Sequence, residues 1–592
     1  MRALEYPFDE EYILKKSKHI KKELLNDGST RIQKKIAVLG GSTTHDIIRI
    51  LELFLLNQGI APQFYESEYN MYWQDAMFDN EILRDFAPDV IYIHTTNRNI
   101  TNYPQLTESD EQVTAKLDET YQNFSRMWEH LKETYHCVII QNNFELPFFR
   151  ILGNRDSADY RGRINFINRL NDKFYEYAMT HEDFYINDIH YLSSCYGLDK
   201  WSDPFFWHMY KYALCLSAIP NLTFNLSNII KALFGKNKKA LVLDLDNTLW
   251  GGIVGDDGVE NIQIGQETSV GQVYSEFQTY LKQQKQLGIL LNIDSKNEEE
   301  NAIAGLSRPD SILKPDDFII IKANWQPKSL NLSQIASELN IMQDSLVFVD
   351  DNPAEQEIIR QQTKGVSVPE IGTPEQYIRI LDHSGFFEPL KISEDDRKRN
   401  DMYKANRERA KQQQAFGNYQ DYLLSLEMTA KIHSFERLYL SRIVQLTNKS
   451  NQFNLTTRRY TQSEIEELSE KSQYLTLYGK LEDKFGDNGV VTVVIGRQEE
   501  KVLHLDLWLM SCRVLKRDME YAMLDKLIEQ CRERGIEEIR GYYYKTAKNG
   551  MVKRFYKDLG FTLLKEDEKE NTVWYYNTVN MYQNKNDVIK VV

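Results

Sequence analysis

The stretch KALVLDLDNTLWGGIVG, residues 239–255, stands out in a polar, acidic chain. Leu241 to Leu245 are apolar apart from Asp244, which predicts a buried strand. Asp246 follows two positions later, and side chains two positions apart on a strand lie on the same face. The strand therefore carries two carboxylates to its own carboxyl end, where open parallel sheets place their ligand sites.

Three downstream segments supply further polar side chains at the ends of predicted elements. LLNIDSKN ends a strand at Ser295, NWQPKSLNL places Lys328 at the start of a helix, and SLVFVDDNPAE ends a third strand in Asp350 and Asp351. Parallel strands would bring Ser295, Asp350 and Asp351 to one crevice with Asp244. Clustered carboxylates repel unless a hard cation such as Mg²⁺ lies between them, and a carboxylate can accept a phosphoryl group. The pattern predicts phosphoryl transfer at a magnesium site.

This set of residues resembles, in order and in strand position, the four motifs of the haloacid dehalogenase superfamily. The resemblance implies a Rossmann-like domain and an Mg²⁺-dependent phosphatase that forms an aspartyl-phosphate. It also implies the following roles: Asp244 as nucleophile, Asp246 as general acid/base, Ser295 and Lys328 as phosphoryl-binding and charge-stabilising groups, Thr248 and Asn297 as substrate-binding residues, and Asp244, Asp246 (through its backbone carbonyl), Asp350 and Asp351 as metal ligands.

The sequence after the first motif narrows the resemblance. Too few residues separate Trp250 from the helix predicted near residue 270 to form an independent cap domain, so we expect an open site with a minimal cap. LDLDNTLWGG, SKN, NW..K and FVDDNPAE together resemble the FkbH family, over roughly residues 235–580. The resemblance implies an enzyme that takes 1,3-bisphosphoglycerate, removes phosphate and transfers the glyceryl group to the thiol of an acyl carrier protein.

The C-terminal block has antiparallel-looking strands followed by helix, strand and helix, an α+β pattern that resembles a GNAT-like acyltransferase. Its candidate acyl-carrying thiol is Cys512, in MSCRV; the alternative is a small buried hydrophobe. The adjacent Arg513 would favour the thiolate. Lys516 and Asp518 replace the two glycines of the R-x-x-G-x-G loop that holds acyl-CoA, so a phosphopantetheine arm fits better than acyl-CoA.

A polar run in the same block resembles a pocket wall of the FkbH family, although a solvated loop is the alternative. The candidate substrate-binding residues there are Asn451, Gln452 and Asn454.

The N-terminal block begins with KKIAVLGGSTTHDIIRILELFLLNQG, which predicts a strand, a glycine turn and an amphipathic helix. Further strands alternate with helices and predict a parallel, flavodoxin-like sheet. LGGSTTHD resembles the nucleophile segment of SGNH hydrolases. This chain has G-G-S where the family has G-D-S, and D-x-x-x-x-H where the family has D-x-x-H. These departures favour a degenerate SGNH-like domain over an active hydrolase. The candidate residues are Ser42, Asn97 or Asn99, Asp203 and His208.

Composition bounds the remaining possibilities. The chain has 592 residues, 42% hydrophobic and 12% aromatic, which suits several packed cores. A net charge of −15 argues against nucleic-acid and anionic-membrane partners. Five scattered cysteines without CxxC spacing, no apolar leader and no long apolar run predict a cytoplasmic protein without membrane insertion.

These patterns predict an α/β multidomain chain. Its predicted domains are an SGNH-like domain (1–233), a phosphatase domain (234–390), a solvated, charged helical connector (391–429) and a GNAT-like domain (430–592). Two other functions stay open: a phosphatase for a sugar phosphate or a polysaccharide intermediate, and a scaffold that retains the phosphatase fold.

Overall fold

The computed structural model describes every residue from Met1 to Val592. The chain divides into two compact units, Met1–Lys231 with Thr461–Glu464, and Ala232–Tyr460 with Ile465–Val592. None of its helices combines the length and apolar character that crossing a bilayer requires. The four-domain division drawn from the sequence stays a prediction.

The N-terminal unit is built on a five-stranded parallel sheet in the order β2-β1-β3-β4-β5, which is the flavodoxin-like order. Its strands are β1 (Ile32–Gly40), β2 (Ile60–Glu66), β3 (Val90–His94), β4 (Val138–Asn142) and β5 (Phe184–Asn187). The helices in this part of the chain are α1 (Glu10–Asn26), α2 (His45–Asn57), α3 (Tyr72–Met77), α4 (Glu81–Phe86), α5 (Asp110–Tyr135), α6 (Arg163–Thr180), α7 (Ile189–Tyr196), α8 (Leu198–Trp201), α9 (Pro204–Tyr210) and α10 (Ile219–Leu233).

The parallel sheet predicted for this unit is confirmed. Its central strands are apolar runs that the flanking helices cover, as parallel strands require. Every residue of β3 and β4 is buried. The sequence did not reveal β2, an edge strand that contains Pro62 and has only one buried residue.

A second parallel sheet, in the order β8-β7-β6-β9, carries the aspartate motifs. Its strands are β6 (Ala240–Leu243), β7 (Leu290–Ser295), β8 (Ile320–Ala323) and β9 (Leu346–Val349). Its helices are α11 (Val254–Asp257), α12 (Ser269–Gln286), α13 (Glu299–Ser307), α14 (Lys328–Glu338), α15 (Pro353–Gln362) and α16 (Tyr377–His383). Leu243 is in register with Ile293 and Val349, so β6 and β9 end at one level and β7 runs two residues further, to Ser295.

The charged segment after the second sheet is helical, in α17 (Glu394–Arg397), α18 (Arg399–Gln413) and α19 (Tyr419–Ser425). It is not the fully solvated connector that its charge pattern predicted. Met402 and Tyr403 are buried, and the Arg409 guanidinium donates to both carboxylate oxygens of Asp483 at 2.9 and 2.6 Å. The segment therefore packs against its neighbours through paired charges as well as apolar side chains.

The C-terminal block forms an eight-stranded mixed sheet in the order β15-β16-β14-β13-β12-β11-β10-β17, mostly antiparallel, which confirms the α+β prediction. Its strands are β10 (Thr429–His433), β11 (Tyr474–Asp483), β12 (Gly486–Glu499), β13 (Val502–Met510), β14 (Glu538–Tyr543), β15 (Thr562–Glu566), β16 (Thr572–Asn577) and β17 (Lys590–Val591). Its helices are α20 (Leu440–Lys449), α21 (Gln462–Glu470), α22 (Met519–Glu533) and α23 (Phe555–Asp558).

The last helix predicted in this block, in GMVKRFYKDLGF (residues 550–561), is shorter than expected. Only α23 is α-helical there, and a single 3₁₀ turn covers Gly550–Val552. Gly560, with φ of 84°, ends the segment in the left-handed region.

Candidate active site

Asp244 occupies the first position after β6, between two neighbouring strands. Its amide donates to the carbonyl of Val349 at 2.9 Å, which continues the pairing of β6 with β9. Asp350 follows β9 directly, and Ser295 is the last residue of β7. The predicted meeting of these three strand ends is therefore present in the structure.

Lys328 reaches this crevice from the first position of α14. Its ammonium lies 2.6 Å from Asp350 Oδ2 and 3.1 Å from Asp244 Oδ1. All three side chains are almost excluded from solvent, since Lys328 is 4% exposed, Asp350 0% and Asp244 8%. One buried cation thus faces two buried carboxylates.

Asp351 completes a group of three carboxylates that could hold a metal ion. One oxygen from each of Asp244, Asp350 and Asp351 lies within 4.8 Å of the other two. Asp244 Oδ1 is buried and, despite its closeness to Lys328, accepts no hydrogen bond of suitable geometry. A buried oxygen without a hydrogen bond, in an all-oxygen set of this size, fits Mg²⁺. The side chain of Asp246 is not part of this group.

The electrostatics of the crevice reflect its excess of negative charge. Burial and the neighbouring Asp244 raise the pKa of Asp351 to about 6, and the same two causes raise the pKa of Asp350. Burial opposes the charge on Lys328, but Asp244 and Asp350 outweigh it and raise the lysine pKa. A divalent cation would relieve the carboxylate repulsion that Lys328 alone balances only in part.

Asp246 points away from the metal-binding group and is fixed by three donors. Its Oδ1 accepts from Trp250 Nε1 at 2.9 Å and from the Val254 amide at 3.0 Å, and its Oδ2 accepts from Asn297 Nδ2 at 2.8 Å. Asn297 Nδ2 also lies 3.3 Å from Ser295 Oγ as donor. Asn297 therefore orients both the predicted acid/base and the predicted phosphoryl-binding serine.

Thr248, predicted to bind substrate, is fully buried, and its hydroxyl accepts the amide of Asp351 at 3.2 Å. In the same turn, the carbonyl of Asn247 accepts the hydroxyls of Tyr274 at 3.2 Å and Tyr377 at 2.9 Å. These bonds fix the turn that directly follows Asp244 and Asp246, the two predicted catalytic aspartates.

Sequence reasoning missed a buried residue behind the site, Asp294. Its Oδ1 accepts from Asn331 Nδ2 at 2.9 Å, and burial raises its pKa to about 8. Gln356 Nε2 donates to the Asp350 carbonyl at 2.7 Å. Asn331, the hydrogen-bond partner of Asp294, lies three positions after Lys328 and therefore on the same face of α14. This helical spacing is the sequence signal that could have placed Asn331 near the site.

Cys512, the candidate thiol, begins a 3₁₀ turn just after β13 and is partly exposed. Its Sγ lies 3.9 Å from the hydroxyl of the buried Tyr403, and its carbonyl accepts from Asn340 Nδ2 at 2.8 Å. The Arg513 guanidinium instead contacts Ser511 Oγ, Met402 Sδ and Asp395 Oδ2. The structure therefore does not provide a hydrogen bond by which Arg513 would favour the thiolate.

The loop after Cys512 keeps a glycine-like backbone without the glycines. Lys516 and Asp518 have φ of 63° and 59°, in the left-handed region where most residues are disfavoured. The carbonyl of Lys516 accepts the hydroxyl of Tyr419. Lys516 and Asp518 therefore adopt the left-handed backbone conformation that glycines at these two positions would adopt.

The predicted pocket-wall residues mostly bond within their own loop. Asn454 is buried, with its Oδ1 accepting the Thr457 amide at 2.8 Å, and Asn451 Oδ1 accepts from Arg459. Gln452 is half-buried. The segment that contains them pairs with the end of β13, because the Met510 amide donates to the Phe453 carbonyl at 3.0 Å. Their substrate-binding role stays a prediction.

The structure does not assemble the hydrolase triad considered for the N-terminal unit. Ser42 is buried and its Oγ has no hydrogen-bond partner. Asp203 caps its own helix by accepting the Phe205 amide, and His208 is exposed and bonds neither residue.

The two asparagines considered for an oxyanion hole have other partners. Asn97 Nδ2 donates to Glu145 Oε1 at 3.0 Å, and Asn99 Nδ2 donates to the Gly41 carbonyl at 2.9 Å. The geometry agrees with the favoured reading of a degenerate site, while the SGNH-like fold itself stays a prediction.

Comparison with known proteins gives a family match for the N-terminal part of the chain and a structural likeness to a phosphatase-containing protein. Residues 35–231 match the model described as FkbH, N-terminal domain, whereas the FkbH resemblance above was drawn from residues 235–580. The chain is similar to a crystal structure of the N-terminal part of the protein BF1531 from Bacteroides fragilis, containing a phosphatase domain complexed with Mg. The identity is 31%, the TM-score is 0.59, and the match covers 64% of this chain and 99% of that chain. No curated protein matches the chain.

Weaker structural likenesses involve acetyltransferases. The ribosomal-protein-S18-alanine N-acetyltransferase from Escherichia coli is 14% identical, with a TM-score of 0.21, over 27% of this chain and 99% of that chain. An acetyltransferase of the GNAT family from Streptococcus pneumoniae is 15% identical, with a TM-score of 0.21, over 25% of this chain and 98% of that chain. Likenesses of this size decide neither fold nor activity, so the GNAT-like assignment stays a prediction.

Proposed function

Because this chain belongs to the same family as the Bacteroides fragilis protein BF1531, we propose that its second parallel sheet carries an Mg²⁺-dependent phosphatase of the haloacid dehalogenase type. The observation that carries this proposal is the convergence of Asp244, Lys328 and the Asp350–Asp351 pair at one buried sheet edge. The magnesium named for that relative supports the choice of metal for this carboxylate group.

In the proposed reaction Asp244 is the nucleophile. One of its carboxylate oxygens attacks phosphorus, the bond between phosphorus and the leaving oxygen breaks, and Asp246 gives that oxygen a proton. Asp246 then takes a proton from water, which attacks the aspartyl-phosphate and releases inorganic phosphate. Lys328 and Ser295 would stabilise the phosphoryl oxygens, and bound Mg²⁺ would neutralise their charge.

We further propose that the whole chain transfers a glyceryl group from 1,3-bisphosphoglycerate to an acyl carrier protein. The Cys512 thiolate attacks the acyl carbon, the carbon–oxygen bond to the acyl phosphate breaks, and inorganic phosphate leaves, which gives a 3-phosphoglyceryl thioester. Water then hydrolyses its phosphate ester at the Asp244 site, which releases a second inorganic phosphate and leaves the glyceryl thioester. The carrier thiolate then attacks the thioester, and Cys512 leaves as thiolate. Support comes from the FkbH match and from the position of Cys512, partly exposed at the end of β13.

Asp244→Asn tests the phosphatase. The amide cannot act as nucleophile, so Mg²⁺-dependent hydrolysis of p-nitrophenyl phosphate should fall to background in a protein that still folds. Asp256→Asn, at an exposed position on α11, is the matched control and should keep wild-type turnover. Wild-type turnover in folded Asp244→Asn would exclude the aspartyl-phosphate mechanism.

Intact-protein mass spectrometry tests the transferase. Incubation with 1,3-bisphosphoglycerate should add a hydroxylamine-labile glyceryl mass, which should move to an acyl carrier protein when one is added. Phosphate release without any thioester on either protein would leave the phosphatase and exclude the transfer.

A further inference from the structure

A group of cations next to Cys512, three of them partly buried, has more positive charge than the carboxylates around it neutralise. We call it the basic cluster; it consists of Arg399, Arg442, Lys449 and Arg513. It is distinct from the aspartate site, and the proposed transfer step assigns it no role.

Two carboxylates hold the cluster together. Asp395 Oδ2 lies 2.7 Å from Arg442 Nε and 3.5 Å from Arg513 Nη2. Asp396 pairs with Arg399 and lies 3.2 Å from Lys449 Nζ, while its other oxygen accepts from Ser393 and Gln445. Four cations therefore share two anions, which leaves the cluster with a net charge of +2.

The excess charge is held where water screens it poorly. The Arg513 side chain is 7% exposed and that of Arg442 15%, whereas Lys449 is 45% exposed and forms the open side of the cluster. Burial and the neighbouring Arg399 lower the pKa of Lys449 to about 8, and burial and Arg513 also lower the pKa of Arg442. A dianion entering beside Lys449 would supply the missing negative charge.

The cluster adjoins the candidate thiol through α18. Arg399 and Tyr403 are four residues apart, on one face of that helix, and the Tyr403 hydroxyl lies 3.9 Å from Cys512 Sγ. Arg513 follows Cys512 directly and contacts Met402, the neighbour of Tyr403. Tyr403 thus connects the candidate thiol to the helix that begins at Arg399.

We propose that the basic cluster binds the phosphate ester at the far end of a three-carbon acyl donor while Cys512 takes the acyl group. The proposal rests on the proposed transferase function and adds the reason for its substrate class: a phosphate monoester dianion matches the net charge of +2 on the cluster. Glycerate without the ester would lack that recognition.

Isothermal titration of the metal-free full chain with 3-phosphoglycerate tests the site. Wild-type protein should bind it at least about tenfold more tightly than glycerate, and Lys449→Gln should remove that preference. Lys449→Arg keeps the charge and should keep binding. The matched control is Lys398→Gln, an exposed lysine that pairs with Glu394 at 2.6 Å outside the cluster. The aspartate site is common to all variants, so its contribution cancels.

A proton-linkage readout separates a binding role from a merely structural one. An anion next to Lys449 should raise the lysine pKa, so binding at pH 8 should take up protons, seen as an enthalpy that depends on the buffer. Lys449→Gln should abolish that dependence. Should Lys449→Gln unfold, Arg513→Gln repeats the comparison of 3-phosphoglycerate with glycerate in the binding titration, since it also removes one positive charge of the cluster.

Equal binding of 3-phosphoglycerate by wild type and Lys449→Gln, or tighter binding of phosphopantetheine than of 3-phosphoglycerate, would overturn the proposal. The p-nitrophenyl phosphate assay and the Cys512-adduct assay measure neither the affinity for 3-phosphoglycerate nor the proton uptake on binding. A failed binding test therefore remains distinguishable from a failed phosphatase or transferase.

Discussion

The ammonium of Lys328 lies 2.6 Å from the carboxylate of Asp350, and neither side chain is more than 4% exposed. The pair comes from two segments, the start of α14 and the end of β9, that only the folded sheet brings together. Because Asp244 shares the same cation, the charge balance of the whole crevice depends on this contact.

Removing that cation should destabilise the metal-free protein. Lys328→Met leaves two buried carboxylates facing each other, which should cost about 3 kcal/mol of unfolding free energy and reduce phosphatase turnover by at least about a hundredfold. Chemical denaturation with and without Mg²⁺ measures the loss, and Mg²⁺ should restore part of it by supplying positive charge. An unchanged unfolding free energy without metal would show that the crevice tolerates the repulsion.

Asp294 should make the metal-free protein less stable at alkaline pH. Its pKa is about 8 in the folded protein and about 4 in an unfolded chain, so the folded state holds a proton that the unfolded state has released. Its stabilising contribution is therefore greatest below pH 4 and is lost as pH rises towards 8. Asp294→Asn, which is neutral throughout, should flatten this part of the pH–stability profile. If the stability of Asp294→Asn fell with rising pH as steeply as that of the wild type, Asp294 would be excluded as the source of the loss.

Cys512→Ala should lose the glyceryl adduct and carrier loading yet keep phosphatase turnover, because the thiol takes no part in the aspartyl-phosphate step. Peptide mapping after hydroxylamine treatment locates the adduct. Cys195→Ala, an exposed thiol in the N-terminal unit, is the control and should load normally. Normal loading by Cys512→Ala would reduce this thiol to a packing role.

Ser42→Ala should leave ester hydrolysis at background and phosphatase turnover unchanged, because Ser42 Oγ has no base bonded to it and His208 is exposed. Assays with p-nitrophenyl acetate and p-nitrophenyl phosphate on the same preparations measure both rates. Esterase activity that depends on Ser42 would mean that the triad assembles when substrate binds.

The sequence by itself predicted the two parallel sheets and the meeting of Asp244, Ser295 and Asp350, because apolar strands followed by polar residues follow a local rule. Strand periodicity and the shared carboxyl edge of parallel strands make that outcome independent of distant contacts. The place of Lys328 beside these residues was implied by the superfamily resemblance. The same local rules placed Cys512 at the end of a strand.

Only the tertiary structure decided which partners these residues have. It turned Asp246 towards Trp250 and Asn297 and placed Thr248 against the Asp351 amide. It also directed Arg513 towards Asp395 and not towards the adjacent sulfur. The physical reason is that a buried charge takes the partner that best compensates its lost hydration, and in this chain that partner often lies a hundred residues away.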